Sequence, residues 1–111
     1  MLVVDDAEIN RTLLRQIFSD SFEVIEAANG QAALEKLRTR DVSIVLLDLV
    51  MPVMDGFEVL AYLRCHDTFV ELPVIAMTTQ GDHDGQARAL EMGASDFVTK
   101  PFNLRLVRRR V

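Results

Sequence analysis

The sequence predicts an α/β fold of the doubly wound class, (βα)5: an open five-stranded parallel sheet with helices on both faces. Two observations carry this expectation. Short apolar runs alternate five times with segments of helical period, and the connections between them are short. Such alternation favours parallel strands, because each helix carries the chain back across the sheet. At 111 residues, half of them hydrophobic, the chain suits one domain with a real core.

The elements follow in order. Leu2-Val3-Val4 is a short apolar run, and residues 8 to 20 place Ile9, Leu13, Leu14, Ile17 and Phe18 on one helical face. Phe22-Glu23-Val24-Ile25 reads as a second strand, with Glu23 suited to a sheet edge. Asn29-Gly30 marks a turn, and residues 31 to 39 carry Ala33, Leu34 and Leu37 at helical spacing. Ser43 to Leu47 reads as a strand buried on both faces, and it ends on Asp48. After the loop with Pro52, Asp55 and Gly56, a helix from about 57 to 65 turns Phe57, Leu60 and Leu63 inward, with Asp55 as its cap.

Pro73 heads a strand from Val74 to Met77. The helix over 84 to 92 starts from Asp82 or Asp84 and stops at Gly93, a residue suited to the left-handed C-cap. Asp96 to Thr99 is the fifth strand, and Asn103 is a good cap for a last helix. Only residues 103 to 111 remain for that helix, so the expectation is one domain over 1–111, cut from a longer protein with its last helix shortened.

Charge and composition exclude several functions. A net charge of −5 and a pI near 4.9 argue against nucleic acid as a direct partner. The run Arg108-Arg109-Arg110 reads as a solvated helix end that complements the helix dipole. No apolar run approaches a membrane span and no signal peptide is visible, so a cytoplasmic protein without membrane contact is expected. The lone Cys65 excludes an internal disulfide and fits a reducing compartment. His66 and His83 read as exposed residues, and the stretch 81 to 85 lacks the remaining acids of a calcium loop.

In open α/β sheets, ligands bind outside the carboxyl ends of the strands. Here the first strand ends in Asp5-Asp6, the third in Asp48, the fourth in Thr78-Thr79 and the fifth in Lys100-Pro101. Taken singly these are weak signals: an acid pair before a helix can simply cap it, and a strand-end acid is usually a turn former. Taken together, they bring acids, hydroxyls and an ammonium to one rim. Two carboxylates about 4 Å apart repel by roughly 4 kcal/mol at an effective dielectric of 20, so cations must offset the cluster. Lys100 supplies one charge, and a hard divalent cation on oxygen ligands, Mg²⁺ before Ca²⁺, supplies the rest. A carboxylate, a divalent cation, a lysine and a hydroxyl around one point describe phosphoryl transfer.

These segments resemble the receiver domain of two-component response regulators. "LVVDDAEINRTLL" is similar to that family's acidic-pair opening and "VLLDLVMPVMDGFE" to its phosphorylated-aspartate segment. "PVIAMTT" resembles its threonine-bearing strand and "GASDFVTKPF" its lysine-proline segment. The resemblance covers nearly the whole chain and implies a flavodoxin-like strand order, 2-1-3-4-5. It implies Asp48 as phosphoacceptor. Asp5, Asp6, Asp48 and the Val50 backbone carbonyl would hold Mg²⁺, with Mn²⁺ as the alternative. Thr78 and Lys100 would bind the phosphoryl group, Thr78 and Phe97 would form the switch, and Gly56 and a cis Lys100–Pro101 bond would be structural.

The partners implied are a histidine kinase or phosphotransfer protein, and an output domain or downstream protein on the surface of the fourth helix, fifth strand and fifth helix. The domain itself would be a monomer or weak homodimer that turns over no external substrate. Val50 and Val53 depart from the commoner pattern, being apolar; Val50 cannot orient a water, which leaves Gln80 as the other modulator of dephosphorylation. A dehalogenase-type phosphohydrolase would need a second acid where Val50 stands. A receiver-like interaction module that is never phosphorylated would not need Asp5, Asp6, Asp48, Thr78 and Lys100 all present.

Overall fold

The computed structural model describes residues 1–102 and 104–111, without side chains at 104, 106 and 110. Five strands, β1 (Leu2–Val4), β2 (Ile25–Ala27), β3 (Val45–Asp48), β4 (Val74–Thr79) and β5 (Asp96–Lys100), alternate with five helices. The helices are α1 (Glu8–Phe18), α2 (Gly30–Thr39), α3 (Gly56–Arg64), α4 (His83–Glu91) and α5 (Leu104–Arg110). All pairings are parallel, and the strand order is 2-1-3-4-5. This is the doubly wound, flavodoxin-like arrangement.

Alternate side chains of each strand enter different layers, which explains why the central strands are apolar without interruption. Leu2, Val4, Val45, Leu47, Val74 and Ala76 pack against α2, α3 and Ala89 of α4. Val3, Leu46, Ile75, Met77 and Val98 pack on the other face against Leu14, Ile17 and Phe18 of α1 and Val107 of α5.

The second strand lies later than the apolar run at 22–25 implies. Phe22 donates its amide to the Phe18 carbonyl and stacks edge-on against the Phe18 ring, so it finishes the end of α1 rather than opening β2. Pairing with β1 starts at Ile25, whose amide reaches the Met1 carbonyl. β2 is an edge strand as expected, but the acid within it is Glu26, held by Arg11 and Arg15. Glu23 lies ahead of the strand and pairs with Arg40. Other boundaries move by a few residues: α1 stops at Phe18, β3 opens at Val45 and β4 continues to Thr79. The cap expected at Asn103 lies outside the described residues.

Asp55 caps α3 through the Glu58 amide, and Asp82 rather than Asp84 caps α4 through the Gly85 amide. The Lys100–Pro101 bond is cis. Among the described residues, no helix is long and apolar enough to cross a membrane.

Candidate functional site

Strand order reverses at β1, which has β2 on one side and β3 on the other. The carboxyl ends of β1 and β3 therefore flank the switch point where doubly wound sheets bind ligands, and Asp5 and Asp48 emerge there. Asp48 closes β3, paired with Met77 of β4. Gly56 lets the following loop fold back onto this strand end. A Cβ at that position would collide with the Asp48 carbonyl oxygen and stand 2.7 Å from Leu49 Cα.

Asp5, Asp48 and Thr78 are the buried polar side chains of the described residues, and all three lie at this rim. Lys100 Nζ sits 3.0 Å from Asp5 Oδ2 and 3.1 Å from Asp48 Oδ2, so one ammonium bridges two buried carboxylates. Asp5 is further held by the Ala7 amide at 2.9 Å and by Asn10 Nδ2 at 3.2 Å. The capping role open to an acid before α1 is not what Asp5 does: Ala7 stands at the N-cap and no side chain caps the helix, so these bonds hold the carboxylate rather than the helix amides. The Val50 amide donates to Asp48 Oδ1 at 3.3 Å.

Asp6 is exposed. One oxygen from each of Asp5, Asp6 and Asp48 lies within 4.8 Å of the others. An all-carboxylate donor set of this span suits a hard cation with oxygen ligands. The residues present therefore fit Mg²⁺, with Asp6 as the carboxylate left uncommitted by protein contacts.

The electrostatics agree with a site built to receive positive charge. Burial, and then the charge of Asp5, pushes the Asp48 carboxyl up to about 6, against the opposing pull of Lys100 and the Val50 amide. Repulsion alone would have been the expectation from sequence; removal from water comes first. Burial disfavours the Lys100 ammonium, but hydrogen bonds and charge from Asp5 and Asp48 outweigh it and leave its pKa raised.

Thr78 Oγ1 donates to Asp82 Oδ2 at 3.0 Å. Phe97 is half-buried on β5 against the α2–α4 layer. Val50 and Gln80 are exposed beside the rim. Sequence reasoning missed Asn10 as a support for Asp5 and Asp82 as the partner of Thr78. Asn10 lies in the first turn of α1, five residues after Asp5, a spacing that periodicity does not single out. A cavity of about 840 Å³ opens at the other end of the sheet, among Leu37, Tyr62 and Phe69, away from the acids.

The family model described as the response regulator receiver domain matches residues 1–111. The chain belongs to the response regulator receiver family. This receiver is 39% identical over 112 residues to the transcriptional regulatory protein SrrA of Staphylococcus aureus, covering all of this chain and 45% of that protein. It therefore spans less than half the length of the curated relatives it matches. Among solved structures it resembles the receiver domain of NtrX from Brucella abortus, at 33% identity and a TM-score of 0.87, over 98% of this chain and 94% of that one. The chemotaxis protein CheY4 of Vibrio cholerae superposes with a TM-score of 0.88 at 29% identity, over 99% and 96% of the two chains. The receiver family and the 2-1-3-4-5 fold expected from the sequence are thereby borne out.

Proposed function

We propose that this receiver is a phosphoacceptor switch, with Asp48 as the residue modified. The observation that carries the reading is the ammonium of Lys100 bridging Asp5 and Asp48 at 3.0 and 3.1 Å, with Asp6 open beside them. A buried carboxylate whose charge is offset from one side is kept as a nucleophile rather than lost as a neutral acid.

An Asp48 oxygen attacks the phosphorus of a partner's phosphohistidine. The P–N bond breaks, an acyl phosphate forms, and the imidazole leaves with a proton from solvent. Asp5, Asp6, Asp48 and the Val50 carbonyl would hold Mg²⁺ or Mn²⁺, which neutralises phosphoryl charge when bound. Lys100 then pairs with a phosphoryl oxygen, and Thr78 donates its hydroxyl to another. Phe97 follows Thr78 inward, which changes the surface formed by α4, β5 and α5 that faces an output domain or downstream protein. The two packings differ in population because one of them binds the phosphoryl group better. Exposed Val50 and Gln80 set how a water approaches the acyl phosphate.

Incubation with Mg²⁺ and a small phosphodonor such as acetyl phosphate, followed by intact-mass measurement, tests the reading. Wild type should gain one phosphoryl group and Asp48→Asn none. Equal modification of both proteins would overturn it.

A further inference from the structure

Thr78 is the hydroxyl that must turn toward Asp48 in the function proposed above, and in this structure it is held elsewhere. Its Oγ1 donates to Asp82 Oδ2 at 3.0 Å, while Asp82 Oδ1 accepts from the Gly85 amide at 3.0 Å. One carboxylate thus ties both the switch hydroxyl and the first turn of α4.

Gly85 adds a separate observation. Glycine is a poor helix residue beside alanine, yet it stands inside α4. A Cβ there would collide with the Asp82 carboxylate and stand 2.8 Å from its Cγ. The missing side chain is the room that the carboxylate occupies. α4 is otherwise thinly anchored: Ala89 is its one buried residue among those described, and Arg88 lies 4.0 Å over the Phe57 ring.

We propose that Asp82 is a positioning residue for Thr78, a latch that holds the hydroxyl away from Asp48 until phosphorylation and couples its release to the start of α4. The inference rests on the phosphoacceptor reading. A hydroxyl has one hydrogen to donate, so Thr78 serves either Asp82 or a phosphoryl oxygen. The Asp82 bond therefore competes with the phosphoryl group and sets the balance between the two packings. When Thr78 leaves, Asp82 keeps its bond to Gly85 and its backbone amide still reaches the Thr79 carbonyl, but its side chain no longer ties the start of α4 to β4.

Binding of trifluoroberyllate with Mg²⁺, followed by ¹⁹F NMR, reads this competition directly. In Asp82→Ser the serine still caps α4, but its oxygen is too short to reach Thr78. Affinity should rise about five- to tenfold, equivalent to about 1 to 1.4 kcal/mol. Gly85→Ala displaces the carboxylate sterically while favouring the helix, and it should tighten binding in the same direction. In a Thr78→Val background neither change should matter, whereas a role confined to capping would ignore Thr78. Unchanged affinity in both variants, or equal tightening without the Thr78 hydroxyl, would overturn the latch alone. Failure of wild type to bind trifluoroberyllate would overturn the phosphoacceptor reading and the latch with it.

Discussion

At the scale of single residues, Asp48 is the group whose environment departs most usefully from water. Its carboxyl is pushed up to about 6 by burial and by Asp5. The folded protein therefore holds that proton more tightly than the unfolded chain, whose aspartate has the ordinary value of 3.8. The sign follows: the native state binds more protons between about pH 4 and pH 6, so stability declines as pH rises through that window and levels off above it. In metal-free protein, Asp48→Asn should be more stable than wild type by about 2 to 3 kcal/mol above pH 7, the equivalent of a two-unit shift. The gap should close below pH 4. Urea titrations at pH 4 and pH 8 measure it, and a gap independent of pH would mean that Asp48 ionises as freely as in solution. The residue was conspicuous in sequence because an acid ended an apolar run; that burial would outweigh repulsion was not, since it depends on how closely β1, β4 and the following loop enclose the strand end.

At the scale of elements, the central strands and the β5 edge were legible and the β2 edge was not. β3 and β4 are apolar on both faces and could be placed from composition alone, whereas β2 slid to Ile25–Ala27 because Phe22 is recruited to finish α1. The Phe18–Phe22 contact is local, four residues apart, and it competes with strand pairing to β1, so the apolar run at 22–25 alone does not say which prevails. The loop between β3 and α3 holds a second feature of this kind. Val53 has φ of 70°, a left-handed conformation that a β-branched side chain resists, and its side chain is 78% exposed. The strain is uncompensated by packing. Asn tolerates this conformation, so Val53→Asn should raise stability by about 1 kcal/mol, seen as a higher urea midpoint at unchanged slope. A lower midpoint would show that Val53 holds the loop through contacts its exposure conceals.

At the scale of the whole molecule, the sheet order gathers into one rim residues that lie up to 95 positions apart, from Asp5 to Lys100. The sequence announced those residues because each ends a strand, and the parallel topology does the rest. It could not announce Asn10 or the second role of Asp82, because both are side-chain choices made inside a helix end. On the proposed reading, the same rim would couple metal binding to folding. Asp5 and Asp48 share Lys100 and are buried, while Asp6 is exposed, so the three acids answer differently to substitution. A ligand that binds only the folded state stabilises it by RT ln(1 + [L]/Kd), about 2.7 kcal/mol at a hundredfold excess over Kd. Mg²⁺ should therefore raise the Tm of wild type in steps that follow the logarithm of its concentration. Asp6→Asn should leave the metal-free Tm nearly unchanged, as a surface substitution does within about 0.5 kcal/mol, and should remove most of the Mg²⁺-dependent gain. A thermal melt series of both proteins decides the matter: an Asp6→Asn variant that keeps the full gain would mean that the cation is held without the one acid free to bind it.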